Sequence, residues 1–229
     1  MRAAMYSAEA EGLRALRAAG VRAPEPLDHG VRGGMAFIEM ERLELGGHAD
    51  WPAMGRMLAA LHRNTADQFG WNSDNWIGLS PQQNGWSADW SEFFVEKRLQ
   101  PQLRKAQENG FRFEKMNFAK ILENHKPQPV MLHGDLWNGN AGFTAEGPVI
   151  FDPAVYYGDR EADLAMTELF GGFPADFYSS YEKHFPLDAG YETRKHLYNL
   201  YHLLNHLNLF GGSYLGQVKA TLGLLLRAF

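Results

Sequence analysis

Two aspartates and an asparagine in the second half of this sequence have types and a spacing that could transfer a phosphoryl group. Asp135 and Asp152 each lie at the end of a short apolar run, and Asn140 follows Asp135 by five positions. In phosphoryl transfer, one carboxylate orients the acceptor hydroxyl and takes its proton. An amide oxygen and a second carboxylate hold Mg²⁺ against the nucleotide phosphates. Each residue alone is also common in turns and loops, but their order and context together favour phosphoryl transfer.

Two short strands joined by a loop are the elements that must position this set. The apolar run 129–132 leads into a His-Gly-Asp triplet that ends at Asp135, and the run 148–153 contains Asp152. The glycine lets the first loop turn tightly. Protein kinases use the same order, with an Asp, an Asn after four intervening residues, and a metal-binding Asp after a short hairpin. The sequence therefore predicts a catalytic loop followed by a hairpin that ends at the second carboxylate.

Helices account for most of the remaining sequence. Apolar residues three or four positions apart predict helices over 5–19, 51–63, 88–107, 117–125, 160–169, 177–184, 193–209 and 213–227. The short apolar run from Met35 to Met40 predicts a strand. Residues 70–88 are rich in Trp, Asn, Gln, Ser and Gly and lack periodicity, which predicts a long loop of the kind that is often functional. The pattern is typical of an α+β fold.

The composition excludes several classes of protein. With 229 residues, 45% hydrophobic and 21% charged, the chain forms one domain or a compact pair of subdomains and is not disordered. The absence of cysteine excludes disulfides, thiolate metal sites and a cysteine nucleophile, and it fits a reducing cytoplasm. A net charge of −5 argues against nucleic-acid binding, and no apolar run approaches the ~18 residues of a membrane helix. We therefore expect a cytoplasmic protein that binds neither nucleic acid nor membrane.

The loop HGDLWNGN at residues 133–140 resembles the catalytic loop of the fructosamine kinase family, one of the aminoglycoside-phosphotransferase-like kinases. The resemblance runs nearly end to end, and it is also carried by residues 5–13, 74–84, 89–94 and 151–173. Trp137 in the loop and the Tyr-Tyr-Gly after the second aspartate separate this family from generic kinase-like proteins. The resemblance implies a protein-kinase-like α+β fold with a truncated N-terminal lobe and a mostly helical C-terminal lobe.

The resemblance also implies roles for individual residues. Asp135 corresponds to the catalytic base, and Asn140 and Asp152 correspond to the Mg²⁺ ligands. Glu9 corresponds to the helix glutamate that pairs with the lysine on the ATP phosphates. Residues 37–43 correspond to the hinge whose backbone hydrogen-bonds adenine. Within the hinge, the implied nucleotide-binding residues are Glu39, Met40 and Glu41. ATP and Mg²⁺ are thus the implied cofactors.

Substrate recognition is expected from polar and aromatic residues. The implied substrate-binding residues are His133, Trp137, Asn84 and Trp90. A polar loop with aromatic side chains suits a sugar, which it can bind by stacking and hydrogen bonding. For the tryptophans between residues 71 and 90, the alternative is that they fill the core. The resemblance favours the binding role for Asn84 and Trp90.

Two further pairs of polar residues have a spacing that metal ligands can share. His202 and His206 lie four residues apart on a predicted helix. Leucines surround them in sequence, so we interpret them as packing histidines. Asp159 and Asp163 could form a second metal pair. For Asp163 we favour a structural role, in which it accepts hydrogen bonds from backbone amides of the catalytic loop.

The resemblance divides the chain into residues 1–45, a remnant of the N-terminal lobe with the hinge, and residues 46–229, a helical lobe for catalysis and substrate binding. In the family, a Gly-rich hairpin and a lysine-bearing strand precede the helix that begins here near Met5, and this sequence contains neither. A start site placed too late, a fragment, or a naturally shortened form would each explain this. We expect the 229-residue chain to self-associate or to bind ATP poorly. Self-association would use an unpaired strand at 35–40 and the apolar surface around Phe37, Ile38 and the helix that begins near Met5.

The function that the resemblance implies is ATP- and Mg²⁺-dependent phosphorylation of a sugar hydroxyl of a ketoamine. The ketoamine is the glycation adduct of a small amine or of a protein lysine. Two alternatives stay open. A catalytically inactive ketoamine- or sugar-binding protein agrees with the missing lysine, but not with the intact set of Asp135, Asn140 and Asp152. Another small-molecule kinase of the same superfamily, acting on an aminoglycoside or a thio-sugar, agrees with that set.

Overall fold

The structure of the protein, a computed structural model, describes residues 2–228. Its helices are α1 (Arg2–Ala18), α2 (Trp51–Leu61), α3 (Trp90–Phe94), α4 (Gln100–Glu108), α5 (Ala119–Leu122), α6 (Glu161–Glu168), α7 (Ala175–His184), α8 (Tyr191–Phe210) and α9 (Leu215–Ala228). Its strands are β1 (Pro26–Arg32), β2 (Met35–Met40), β3 (Phe69–Trp71), β4 (Asn75–Ile77), β5 (Ser80–Gln82), β6 (Gly85–Ser87), β7 (Val130–Leu132), β8 (Ala141–Thr144), β9 (Gly147–Ile150) and β10 (Tyr156–Gly158). The predicted α+β class is confirmed. No helix in the described range is long and apolar enough to cross a bilayer.

The strand that precedes the catalytic loop, β7, lies at the edge of a four-stranded antiparallel sheet. The strand order is β6-β3-β10-β7, and β7 runs directly into the loop. A separate hairpin, β8-β9, fills the stretch between Asn140 and Asp152, with Ala141 opposite Ile150. The hairpin therefore returns the chain to the loop from which it started. This is the arrangement that the two apolar runs predict.

Helix α8 is the central packing element of the molecule, and it lies against α4, α6 and α9. Leucines three or four positions apart give it a continuous buried stripe, formed by Leu197, Leu200, Leu204 and Leu207. Because other elements surround this helix, its polar residues His202 and Asn205 are buried as well. The helix predicted over 193–209 is confirmed with slightly wider bounds.

Residues 69–87 form four short strands where the sequence predicts a loop. β3 pairs with β6, and β4 pairs with β5. Strands of three residues are too short to show alternation, and the polar residues Asn75 and Gln82 are among their buried side chains. Gly70 has a φ of +123°, and a Cβ atom there would lie 1.7 Å from the carbonyl oxygen of Gly85. Only glycine lets β3 and β6 approach so closely.

The expectation of an unpaired strand at 35–40 is wrong, because β2 pairs with β1 in an antiparallel hairpin. β1 was not predicted from the sequence because it begins with a proline. Pro26 stands at the first position of β1, where a strand tolerates proline. The hairpin is nevertheless apolar on its outside. Leu27, Val31 and Met35 are 57%, 62% and 75% exposed.

Candidate active site

The predicted catalytic loop turns sharply at Gly134, two residues after β7. Gly134 has a φ of +82°, and a Cβ atom there would lie 2.1 Å from the carbonyl oxygen of Ala154. The amide of Ala154 in turn donates to the carbonyl of His133 at 2.9 Å. The loop thus passes so close to the chain after β9 that only glycine is accommodated at this point.

Asp163 lies in the first turn of α6, and its carboxylate accepts hydrogen bonds from the two backbone amides at the Gly134 turn. Its Oδ2 accepts from the N–H of His133 at 2.7 Å, and its Oδ1 accepts from the N–H of Gly134 at 2.9 Å. The Nε2 of His62 lies 3.2 Å from the same Oδ2. Burial opposes the charge of Asp163, but the hydrogen bond and charge of His62 outweigh it and hold the pKa of this carboxyl below its usual value. The structural role predicted for Asp163 is confirmed.

The His133 ring is fully buried, and both of its nitrogens are used within the protein. Nε2 donates to the carbonyl of Phe151 at 3.1 Å, and Nδ1 accepts from the backbone N–H of Asp135 at 3.3 Å. Burial lowers the pKa of this imidazole, so the ring is neutral. It holds the backbone at Asp135 against the end of β9. A contact between His133 and the substrate stays a prediction.

The carboxylate of Asp135 is mostly shielded from water, with 16% of its side chain exposed. Asn140 Nδ2 donates to the Asp135 carbonyl at 2.9 Å and to its Oδ2 at 3.3 Å. Burial, followed by the negative charges of Asp152 and Asp163, raises the pKa of Asp135 to about 7. A carboxyl that titrates near neutral pH is well matched to proton transfer.

Asp152 exposes its carboxylate next to this loop, from a strained backbone position. Its φ is +56°, which costs about 1–3 kcal/mol for a residue other than glycine. The amide of Phe151 donates to the carbonyl of Asn140 at 3.0 Å, so the end of the hairpin is fixed to the loop. Because Asn140 directs its Nδ2 at Asp135, its Oδ1 faces the other way. Oxygen donors of this kind suit Mg²⁺, which takes its other ligands from phosphates and water.

Glu9 on α1 lines a cavity of about 290 Å³ together with Asp152, Tyr6 and Trp76. Burial, followed by the charge of Asp152, raises the pKa of Glu9 to about 7. Both causes disfavour the charged form, and no cation in the described range offsets them. A positive group in the cavity would restore the charge of Glu9. Its pairing with a lysine stays a prediction.

The predicted nucleotide-binding residues lie at and just after the end of β2. Glu39 is exposed, and Met40 packs partly buried against the core. The Glu41 carboxylate pairs with Arg22 at 2.5 and 2.7 Å, and its backbone amide donates to the carbonyl of Glu25 at 2.8 Å. The amide of Glu41 is therefore occupied in this structure. Adenine recognition by this segment stays a prediction.

Asn84 and Trp90 lie in the interior. The side-chain amide of Asn84 donates to the carbonyl of Ser73 at 2.9 Å and accepts from Arg98 at 2.7 Å. Trp90 is 2% exposed, and its Nε1 donates to the hydroxyl of Tyr198 at 3.1 Å. Substrate contacts at these two residues stay predictions. Their packing favours the alternative, in which this cluster fills the core.

Trp137 is the predicted substrate residue that stays partly exposed next to the catalytic aspartate. Its ring lies over Gly139, where a Cβ atom would come within 2.3 Å of it. On its other side it meets the ring of Phe170 edge-on, at a centroid distance of 6.0 Å. Trp137 therefore has the accessibility that Trp90 lacks.

His202 borders the site, which the sequence did not indicate. Its Nδ1 lies 3.9 Å from Asp135 Oδ1 and has no hydrogen-bond partner within residues 2–228. Burial, followed by the nearby His206, lowers the pKa of His202 to about 3, so the ring is neutral. The burial agrees with a packing histidine. The four-residue spacing on α8 was visible in the sequence, but it does not reveal which face of α8 meets the catalytic loop.

Asp159 belongs to a buried network that links α6 to α8. Its Oδ2 contacts His125 Nε2 at 2.6 Å and the hydroxyl of Tyr198 at 2.5 Å. Arg194 binds both oxygens of Glu161 at 2.6 and 2.7 Å. The possible ligand atoms of His125, Asp159 and Glu161 lie within 4.8 Å of one another, a spacing that a metal could use. Each carboxylate already has protein donors, which agrees with a structural role.

Comparison with known proteins gives one family for nearly the whole chain. The model of the fructosamine kinase family matches residues 1–228. A "probable ketoamine kinase" of Synechocystis sp. is 48% identical over 97% of this chain and 79% of its own length. The crystal structure of a "putative fructosamine-3-kinase" from Haemophilus somnus has a TM-score of 0.93 at 32% identity. That match covers 98% of this chain and 80% of the crystallised one.

A more distant structure extends the likeness to other small-molecule kinases. An aminoglycoside-3′-phosphotransferase of type VIII has a TM-score of 0.53 at 15% identity, covering 86% of this chain and 80% of that one. At this identity the likeness concerns the fold alone. The kinase-like fold predicted from the sequence is confirmed.

Proposed function

We propose that this chain, which belongs to the fructosamine kinase family, transfers the γ-phosphoryl group of ATP to a sugar hydroxyl of a ketoamine. Family membership confirms the resemblance carried by the loop at 133–140, and it makes the chain a phosphotransferase with an alcohol group as acceptor. The use of ATP and Mg²⁺ and the residue roles are proposals. The observation that carries them is a shielded Asp135 whose pKa is raised to about 7 beside Asn140 and Asp152.

Asp135 orients the acceptor hydroxyl and takes its proton. As the hydroxyl oxygen bonds to the γ-phosphorus, the bond from that phosphorus to the β,γ-bridging oxygen breaks and ADP leaves. The hydroxyl proton passes to the Asp135 carboxylate and then to water. No covalent intermediate is needed, since this transfer depends on positioning and electrostatics. The raised pKa makes the ionised carboxylate a stronger base than an exposed aspartate.

Asn140 and Asp152 are the residues that would hold Mg²⁺. When bound, the ion neutralises charge on the phosphate oxygens. The exposed position of Asp152 suits an ion that keeps several waters and phosphate oxygens. Asn140 is held in place by its bonds to Asp135, so its Oδ1 is presented without further rearrangement.

Asp135→Asn tests the proposed base. The amide keeps the shape of the side chain but cannot accept the proton, so we expect turnover to fall by at least about 10²–10⁴-fold. The assay follows ADP release with a fructosyl-amine, ATP and Mg²⁺ and identifies the phosphorylated ketoamine by mass spectrometry. Asp67→Asn is the matched control, because Asp67 is exposed. Comparable phosphorylation by Asp135→Asn and the parent would contradict the role.

The two alternatives give different outcomes in the same assay. An inactive ketoamine-binding protein would bind the fructosyl-amine in titration calorimetry without consuming ATP. A kinase for aminoglycosides or thio-sugars would consume ATP with those acceptors and not with the ketoamine. A glycated lysine on a folded protein is a further proposed substrate, and its phosphorylation is seen as a mass increase of that protein.

A further inference from the structure

Five aromatic side chains from three segments form a continuous surface beside the catalytic loop, which we call the aromatic shelf. Its members are Trp137, Phe170, His206, Phe210 and Tyr214. The ring centroid of Phe170 lies 6.0 Å from that of Trp137 and 4.5 Å from that of His206. His206 lies 5.4 Å from Phe210 and 5.1 Å from Tyr214. Because Trp137 belongs to the catalytic loop, two positions after Asp135, the shelf reaches this loop.

The shelf is open to solvent, and the backbone beneath it is strained. Phe210 is 65% exposed, and the other four residues are partly exposed. Phe170 has a φ of +29°, a conformation that a residue other than glycine rarely adopts. Two glycines with positive φ follow it, and the Asn138 side chain donates to the carbonyl of Gly172 at 2.9 Å. This bond ties the strained turn, and with it the Phe170 ring, to the catalytic loop.

We propose that the aromatic shelf binds the amine-derived part of the ketoamine while the sugar hydroxyl lies at Asp135. The inference rests on the proposed function and names the part of the substrate that this surface takes. The ketoamine nitrogen is a secondary amine and carries a positive charge near neutral pH, and methylene groups flank it. Aromatic faces attract cations within about 6 Å and gain from covering methylene groups. An extended aliphatic chain on the amine is therefore the occupant that the shelf suits.

The charges around the shelf agree with this occupant. None of its members is lysine or arginine, and burial lowers the pKa of His206, so its imidazole is neutral at pH 7. His202, one turn earlier on α8, is also neutral because its pKa is lowered to about 3. The Asp135 carboxylate precedes Trp137 by two positions in the catalytic loop, and its Oδ1 lies 3.9 Å from His202 Nδ1. A cationic nitrogen near Trp137 thus meets no repulsion from these groups.

The test compares two ketoamines that share the fructosyl group, namely the adduct of methylamine and the ε-amine adduct of Nα-acetyl-lysine. Titration calorimetry on the whole chain measures both affinities. We expect the parent to bind the lysine adduct more tightly, because only its chain is long enough to cover the shelf. Phe210→Ala should weaken binding of the lysine adduct roughly threefold to tenfold and leave the methylamine adduct unchanged. Phe210→Tyr, which keeps the ring, should preserve both affinities.

Leu226→Ala is the control, since it removes another exposed apolar side chain, 54% exposed, from α9. It should change neither affinity. Equal affinity of the parent for the two adducts, equal losses for both in Phe210→Ala, or no binding of either adduct would overturn the proposal. The proposal would also be overturned if light scattering gave Phe210→Ala a lower mass than the parent while both affinities stayed unchanged. That result would show that the shelf contacts a second copy of the chain.

Failure of the proposed function gives a separate result. If the lysine adduct binds through Phe210 but neither adduct is phosphorylated, the kinase activity fails and the shelf stands. If the methylamine adduct is phosphorylated in a reaction that requires Asp135 and Phe210→Ala alters no affinity, the shelf fails and the kinase activity stands.

Discussion

Asp163→Asn is expected to weaken both the fold and the catalytic loop, because one side chain supports the turn at Gly134. Its carboxylate accepts the amides of His133 and Gly134 at 2.7 and 2.9 Å and lies 3.2 Å from His62 Nε2. In the asparagine variant one oxygen becomes an NH₂ group, so a buried donor loses its acceptor. A hydrogen bond to a charged group contributes about 1.5–3 kcal/mol, and the unpaired donor adds a desolvation cost. We expect the free energy of unfolding to fall by about 3 kcal/mol, a large share of the ~5–15 kcal/mol that is usual for a domain.

Urea unfolding followed by far-ultraviolet circular dichroism measures this loss. With a slope of about 3 kcal/mol per molar urea, the midpoint should fall by about 1 M. The folded-state pKa of Asp163 lies below its usual value. Its stabilisation is therefore complete above the unfolded pKa of about 4 and is lost as the pH falls through the folded pKa. The difference between parent and variant should accordingly be largest at neutral pH and shrink below about pH 4.

Asp67→Asn removes a carboxylate from an exposed position and should leave the midpoint unchanged. A midpoint of Asp163→Asn within about 0.2 M of the parent at pH 7 would refute the reasoning. A difference that persists undiminished at pH 3 would refute it as well, because it could not come from the ionised carboxylate. At pH 7 without urea, the folded fraction of Asp163→Asn should phosphorylate the ketoamine more slowly than the parent does. The reason is that the turn before Asp135 has lost the hydrogen bonds that support it.

Four further outcomes are expected. The kcat/KM for the ketoamine should rise about tenfold per pH unit up to about pH 7 and then level off, because Asp135, with its pKa raised to about 7, acts as base only when ionised; a flat profile between pH 5 and 8 counts against it. Asp152→Ala should weaken Mg²⁺ binding in the presence of ATP at least about tenfold by titration calorimetry, and unchanged affinity removes Asp152 from the metal site. Gly134→Ala should cost about 2 kcal/mol more in urea unfolding than Gly85→Ala, since both have φ near +80° but only Gly134 faces a carbonyl at 2.1 Å; equal losses would show that this contact relaxes freely. Met35→Lys should lower any self-association seen by light scattering, because Met35 is 75% exposed on the apolar hairpin, and an unchanged mass places the contact elsewhere.

Local sequence predicts the catalytic loop well because each step depends on near neighbours. An apolar run forms β7, a glycine permits the turn, and the next apolar runs close a hairpin that ends at Asp152. Asp135 and Asn140 are then close in space because they are close along the chain, at 3.3 Å between Nδ2 and Oδ2. The helices follow for the same reason, since burial of one face imposes the spacing of their leucines.

Local sequence predicts poorly where a contact joins distant segments. His202 lies 3.9 Å from Asp135 across 67 positions of chain, and no pattern on α8 reveals that face. Trp90 donates its indole N–H to the hydroxyl of Tyr198, 108 positions later in the chain, and no local pattern indicates this contact. The strands between residues 69 and 87 were missed for a different reason, because strands of three residues are too short to show alternation.

The sequence by itself determined the family, the fold class, and the order of Asp135, Asn140 and Asp152, because these depend on local pattern and on residue identity. The tertiary structure alone decided the ionisation of the site. The pKa of Asp135 is raised to about 7 by burial and by two carboxylates from other segments. It also decided which aromatic side chains are accessible, burying Trp90 and exposing Phe210. Burial and charge proximity are sums over neighbours brought together by folding, so they cannot be read from any one segment.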